Sequence, residues 1–319
     1  MAALVGVEAS QIVFTSGGTE ANNLAIKGMA GVLAPGVIAW GATEHPSVLA
    51  PVQQLRKRGW ELRQLAVDPA GALLAQSLGD LPRDRLRLAS VMLANNETGV
   101  IQDVSTLAER VRASGAILHC DAVQAAGKIP VEFNSLGAHM LSLSSHKLYG
   151  PKGAGALVIA KTIELEPLLA GGGQERDLRS GTENVAAIVG FGKACELALA
   201  ELETRRSHCH KLRLALELGL ARMQAVTVFA EPAPRLANTV QFGLRGMDGE
   251  ALTMALDRKG FAVSSGSACA SGAGEPSPVL LAMGVDADTA KSAIRVSLGK
   301  DNREADIEAF LSALQTIVG

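Results

Sequence analysis

The chain has 319 residues, 48% of them hydrophobic and 19% charged, with a net charge of −2. That composition is globular and long enough for a large domain with a smaller one appended, and it offers no global basic charge for nucleic acid or an anionic membrane. No apolar stretch approaches the roughly 20 residues of a membrane span, and no basic region followed by a long apolar run opens the chain as in a secretory leader. The four cysteines, Cys120, Cys195, Cys209 and Cys269, have neither paired spacing nor a zinc pattern, so free thiols in a reducing compartment, the cytoplasm, are expected. With aromatic residues at 3%, the core has to be built from Ala, Leu and Val.

Gln11 to Phe14 reads as a strand, and Thr15-Ser16-Gly17-Gly18-Thr19-Glu20 turns it into a helix over Ala21 to Lys27. A strand, a glycine turn and a helix start leave backbone N–H groups and the helix dipole aimed the same way, a natural place for an anion. The dinucleotide fingerprint GxGxxG is absent. Val37 to Trp40 is a second strand, followed by the loop Gly41 to Pro46 and a helix from Ser47 to Arg58, ended by Gly59. His45 therefore sits on a strand-to-helix loop, as a surface residue or as part of a site.

Trp60 to Val67 and Leu86 to Ala94 read as further strands, the latter ending in Asn95-Asn96-Glu97-Thr98-Gly99. A helix over Ser105 to Arg112 leads to the strand Ala116 to Cys120, which ends in Asp121-Ala122-Val123-Gln124. A carboxylate at the end of a buried strand needs a cation or several donors, unless it serves as a helix cap.

The strand Met140 to Leu143 runs into Ser144-Ser145-His146-Lys147, a Gly/Pro-punctuated turn and a second apolar run, Gly155 to Ile159. Lysine shifts its pKa readily when desolvated and is the usual Schiff-base former; the alternative for Lys147 is a side chain that only snorkels out at a strand end. Ser144 and His146 are polar groups able to hold a phosphate. Strands alternate with helices from residue 11 to about 160, the pattern of a parallel α/β sheet, and the polar residues all fall where strands end, which is where such sheets bind ligands.

Gly171 to Thr182 is a glycine-rich polar loop, and Glu183 to about Met223 is helical, with an interruption expected near His208-Cys209-His210. Adjacent helical residues point in different directions, so that triplet reads as an exposed face or a break and not as a metal site. Asn238 to Leu244 is a strand, Gly249 to Lys259 a helix, Ser277 to Met283 a helix, Ala293 to Ser297 a strand, and an amphipathic helix follows Arg303. Cys269 stands in Ser264-Ser265-Gly266-Ser267-Ala268-Cys269-Ala270-Ser271-Gly272, the setting of a reactive thiol or of a cysteine merely tolerated in a loop. Arg295, inside an apolar strand, calls for a bidentate anion such as a carboxylate.

Together these stretches resemble the fold-type I, class V pyridoxal-phosphate enzymes, and among them the cysteine desulfurases of the NifS/IscS branch. TSGGTEANN, ATEHPSV, NNETG, HCDAVQAAGK, SSHKLYGPKG, RSGTEN, SSGSACASG and IRVSLG run in family order over almost the whole chain. The resemblance implies an α/β fold of the fold-type I transferase kind: a mostly parallel sheet flanked by helices in a large cofactor domain, 1–200, and a smaller C-terminal α+β domain, 201–319, with the cysteine loop. It implies pyridoxal 5'-phosphate as cofactor, carried covalently by Lys147. Asp121 would pair with the ring nitrogen, Gln124 with the phenolic oxygen, and Asn96 with the same side of the cofactor and with substrate. His45 would stack on the ring and assist proton transfer. Gly18, Thr19, Ser144 and His146 would hold the phosphate, joined by Thr182 of the partner subunit in a homodimer. Arg295 would clamp the carboxylate of L-cysteine, and Cys269 would accept its sulfur as a persulfide, leaving L-alanine.

The partner implied is an iron–sulfur scaffold or a sulfur-carrier protein, with no nucleic acid, no membrane and no resident metal; Cys269 would be at most a transient iron–sulfur ligand. The family's usual opening segment, with a D-N-N-A-T-T-P-like motif and two helices, has no counterpart ahead of Thr15. Ser145 stands where glycine or alanine is common, and Ala270 where threonine is. The readings from other classes are a transaminase or selenocysteine lyase, and a non-catalytic interaction module.

Overall fold

The structure is a computed structural model that describes residues 1–266 and 274–318. Cys269 and Ala270 lie outside the described residues. The chain forms two compact units: Met1–Ala66, Leu73–Ala94 and Gln102–Leu202 make the first, and Val67–Ala72, Asn95–Ile101 and the chain from Glu203 make the second.

The first unit is built on seven strands, β1 (Ile12–Thr15), β2 (Val37–Gly41), β3 (Glu61–Leu65), β4 (Leu86–Met92), β5 (Ile117–Asp121), β6 (Met140–Ser144) and β7 (Gly155–Ile159), in the order β1-β7-β6-β5-β4-β2-β3. The strands β3, β2, β4, β5 and β6 run parallel. Strands β2 and β6 are buried at every position, as apolar strands covered on both faces by helices must be, whereas the edge strand β3 exposes Arg63 and Gln64. The mostly parallel, helix-flanked sheet expected from the sequence is therefore present. It is not parallel throughout: β7 is antiparallel to both β6 and β1. Residues 145–154 are too few for the helical crossover that a parallel connection needs, so the chain turns straight back.

The buried histidine inside this sheet is hydrogen-bonded at both ring nitrogens. His119, fully buried, bonds Ser90 Oγ through Nδ1 at 2.8 Å and Ser142 Oγ through Nε2 at 2.9 Å, so the imidazole bridges three strands. Burial brings its pKa down to about 3. The helix expected from Ala21 is longer at both ends, running as Gly18–Asn23, a π-helical stretch Leu24–Gly28 and Met29–Val32.

The second unit holds an antiparallel sheet of β8 (Val226–Val228), β9 (Thr239–Leu244), β10 (Ser264–Ser265) and β11 (Ala293–Ser297), ordered β10-β11-β9-β8. Alternation sorts its faces: Val240, Phe242, Ile294 and Val296 enter a core with Leu212, Leu216 and Phe310. Each such side chain contributes about 1.5–3 kcal/mol by burial. Gln241 and Arg295 lie on the other face, directly opposite one another in the β9–β11 register.

The helical break falls at Glu201, between helices Val185–Ala200 and Leu202–Leu220, and not at His208-Cys209-His210. Those residues continue the second helix because Cys209 begins its buried stripe, Cys209, Leu212, Leu216 and Leu220, at helical spacing. His208 Nε2 bonds the carbonyl of Asn302 at 2.8 Å.

Candidate active site

The parallel strands β2, β5 and β6 finish at one edge of the sheet; Asp121 closes β5, and the segments that follow β2 and β6 carry His45 and Lys147. Asp121 is the final residue of β5 and is buried. Its Oδ1 accepts from the backbone N–H of Val123 at 2.9 Å and its Oδ2 from Asn22 Nδ2 at 2.7 Å. It serves no helix as a cap. Burial pushes its carboxyl up, against the pull of these two donors and of His45.

Asn22 Nδ2 also donates to Ser47 Oγ at 2.8 Å, and that hydroxyl donates in turn to His45 Nδ1 at 2.8 Å. His45 is the residue before helix Pro46–Leu55, and its Nδ1 caps the helix by accepting from the backbone N–H of Ser47 at 3.1 Å. An Nδ1 that accepts from that N–H bears no proton, so the imidazole is neutral with its proton on Nε2. Burial lowers the His45 pKa, Asp121 opposes that shift, and the charge of Lys147 adds to it.

Glu44, beside His45, is buried at 4% exposure. Its Oε1 accepts from Met92 N at 2.7 Å, and its Oε2 has no hydrogen-bond partner among the described residues. Burial pushes its carboxyl well up despite the Met92 N–H, and the charge of Asp121 pushes the same way.

Lys147 stands in the 3-10 turn Ser145–Leu148 that follows β6 and is exposed. Its charge acts on His146 as well as on His45: His146 is lowered first by partial burial, then by Lys147 and Lys152. Ser144 Oγ and His146 Nδ1 are 3.1 Å apart. Gly18, Thr19, Ser16, His146 and Lys152 line one shallow cavity of about 360 Å³. A Cβ at Gly18 would lie 2.8 Å from Val123 Cγ2, so any larger residue there would have to displace that side chain.

Gln124 is half-buried, with its Oε1 accepting from Lys128 Nζ at 2.8 Å. Thr182 is exposed and lines a different cavity, of about 220 Å³, with Ser16 and Gly153. The loop before it is tied to the glycine turn by Arg179, whose Nε donates to Glu20 Oε1 at 2.8 Å, while Glu20 Oε2 accepts from the N–H of Ser16 at 2.8 Å.

Asn96 and Arg295 belong to the second unit, where Arg295 Nη1 donates to the backbone carbonyl of Asn96 at 3.1 Å. The loop holding Asn96 is shaped by Asn95, whose Oδ1 accepts from the N–H groups of Glu97 and Thr98, both at 2.9 Å. Cys269 falls outside the described residues. Among the described residues no three His, Cys, Asp or Glu side chains gather as a metal would require, and no helix is long and apolar enough to cross a membrane.

Residues 1–310 match the family described as aminotransferase class-V. The chain belongs to this family. The chain is 45% identical over 309 residues to the cysteine desulfurase of Bradyrhizobium diazoefficiens, an alignment spanning 97% of this chain and 79% of the relative. It is 42% identical to the cysteine desulfurase IscS of Methanosarcina thermophila, over 98% of this chain and 78% of that one. A solved NifS-like protein superposes with a TM-score of 0.93 at 36% identity, covering 99% of this chain and 85% of that one.

Class-V aminotransferases of the cysteine desulfurase kind are pyridoxal 5'-phosphate enzymes, and the residues present fit that cofactor. A buried carboxylate, Asp121, calls for a cation such as a protonated ring nitrogen. Asn22 Oδ1 and Ser145 Oγ are buried with no hydrogen-bond partner among the described residues. The cavity under Gly18 and Thr19 offers an anion backbone and basic donors.

Asn22, Glu44 and Ser47 do not emerge from reading the sequence alone, although each sits inside a matching segment. Asn22 and Ser47 look there like ordinary helix residues, and only the fold brings them to a carboxylate 99 residues from Asn22 along the chain.

Proposed function

We propose that this chain is a cysteine desulfurase that converts L-cysteine to L-alanine and passes the sulfur on through a persulfide on Cys269. The observation that carries the reading is the hydrogen-bonded chain Asp121–Asn22–Ser47–His45 at the sheet edge where Lys147 stands. It joins a buried acid suited to a ring nitrogen with a neutral imidazole suited to a proton.

Lys147 holds pyridoxal phosphate covalently, and the cofactor supplies an electron sink at the substrate's α-carbon. Asp121 keeps the ring nitrogen protonated. Gln124 uses the N–H side of its amide, since its oxygen is taken by Lys128, and Asn96 supports the same side and the substrate. Gly18, Thr19, Ser144 and His146 hold the phosphate, with Thr182 contributed by a partner subunit. The amine of Lys147 would move the Cα proton, and His45, with its proton on Nε2, would assist.

Arg295 receives the carboxylate of L-cysteine. The Cys269 thiolate attacks the substrate sulfur; a new S–S bond forms, the carbon–sulfur bond breaks, and its electron pair takes up a proton to give L-alanine. In this reading 1–200 is the cofactor domain and 201–319 the domain that carries the cysteine loop. The exposed Val185, Val189 and Tyr149 support a homodimer. The sulfur goes to an iron–sulfur scaffold or a sulfur-carrier protein in the cytoplasm.

The test is production of sulfide and alanine from L-cysteine by the wild type and by Cys269→Ser, with pyridoxal phosphate and a reductant present. Equal yields from the wild type and none from the variant are expected; sulfide release by Cys269→Ser at the wild-type rate would overturn the role of Cys269, and no turnover by the wild type would overturn the reading.

A further inference from the structure

The motif that carries Asn96 also carries an acid to which the reaction above gives no work. Glu97 is 6% exposed and lies in the second unit. Its Oε2 accepts from Ser277 Oγ at 2.5 Å and from Gln241 Nε2 at 3.2 Å. Gln241 is the cross-strand partner of Arg295. Ser277 caps helix Pro278–Ala282 by accepting from Leu280 N at 3.2 Å. Arg295, besides its bond to the Asn96 carbonyl, has a buried Nε with no hydrogen-bond partner among the described residues. One carboxylate thus joins the Asn96 loop, the strand pair bearing Arg295 and the start of a helix.

Such a group is costly to bury, and replacing a buried charged cluster with an apolar filling of the same volume is often neutral or stabilising. Burial pushes the Glu97 carboxyl up, while Ser277, Gln241 and the charge of Arg295 draw it back. What the arrangement supplies is fixed geometry. A guanidinium recognises a carboxylate through a rigid fork, and that recognition weakens steeply when the fork is misplaced.

Resting on the reading of this site as one for an amino-acid substrate, we propose that Glu97 is a positioning residue for the substrate carboxylate, holding Arg295 and Asn96 as one block. Glu97→Gln keeps the shape but replaces the carboxylate oxygen that accepts from Ser277 and Gln241 with a weaker neutral amide oxygen and removes the negative charge near Arg295, so the block loosens. The carboxylate contact then suffers while the chemistry at the α-carbon does not.

The experiment uses the holoenzyme and compares wild type with Glu97→Gln. The KM for L-cysteine is expected to rise about tenfold with kcat within about threefold, and inhibition by L-alanine to weaken by a similar factor. Inhibition by ethylamine, which is alanine without its carboxylate, should not move, and the absorbance of the bound cofactor should be unchanged. A merely structural role would lower the melting temperature and leave the alanine-to-ethylamine ratio alone, and that result would overturn the proposal. If Glu97→Gln fails to fold, Ser277→Ala is judged by the same ratio, with a smaller change in the same direction expected. A wild type that does not turn over L-cysteine would overturn the functional reading itself, whereas turnover with an unmoved ratio would overturn only the role of Glu97.

Discussion

Asn22 donates to Asp121 at 2.7 Å, from a helix that begins at Gly18 to a strand that ends at Asp121. A hydrogen bond to a carboxylate is worth about 1.5–3 kcal/mol, and this one opposes the effect of burial on the acid proposed to meet the cofactor ring. Asn22→Ala should therefore weaken pyridoxal phosphate binding by about tenfold or more. Titration of the apoenzyme with the cofactor, followed by absorbance, measures it; an unchanged affinity would show that the bond does not support Asp121.

Ser47 sets the protonation of His45. Its hydroxyl and its backbone N–H both aim at Nδ1, which favours the neutral ring. The His45 pKa already lies below its ordinary value, chiefly through burial. Taking the hydroxyl away in Ser47→Ala removes a donor to the neutral form, so the pKa rises and His45 takes up its second proton at higher pH. The acidic limb of the kcat/KM profile for L-cysteine should move to higher pH in this variant; a superimposable profile would contradict the assignment.

His119 makes stability depend on pH in the acid range. Its pKa is about 3 in the folded chain against an ordinary 6.5, so between those values the unfolded chain binds the extra proton. Its contribution is fully present above pH 6.5 and is lost as pH falls through the window between the two values, at up to about 1.4 kcal/mol per pH unit. Denaturant titrations at a series of pH values should show a shallower acid loss for His119→Gln, which keeps polar groups for Ser90 and Ser142 without titrating. Equal slopes for the two proteins would refute this.

Gly155 opens β7 directly over the glycine turn. A Cβ at that position would overlap the backbone of Gly17, which cannot yield as a side-chain tip can. Gly155→Ala should cost about 1–3 kcal/mol of stability by overpacking. It should also weaken cofactor binding, because the displaced residue adjoins Gly18. Thermal melts of the apoenzyme and holoenzyme check both effects.

Much of this was legible from local pattern. The buried strands of the parallel sheet announce themselves as short apolar runs, and a polar residue at the end of each marks the binding edge. The antiparallel β7 was not legible, because the apolar run Gly155 to Ile159 carries no sign of direction. The break at Glu201 was missed because two histidines drew attention to a stretch whose cysteine belongs to the core stripe. Glu97 could not be assigned at all from the chain: its partners Gln241 and Ser277 lie 144 and 180 residues away. Asn22 and Ser47 were hidden by the same cause, since spacing within a helix says which face a residue takes and not which strand end it meets.

The most direct test of the account is to reduce the holoenzyme with borohydride, digest it and locate the fixed cofactor by mass spectrometry. The account predicts a phosphopyridoxyl group on the peptide containing Lys147, absent from Lys147→Ala. A cofactor fixed to another lysine, or retained in the Lys147→Ala protein, would contradict it.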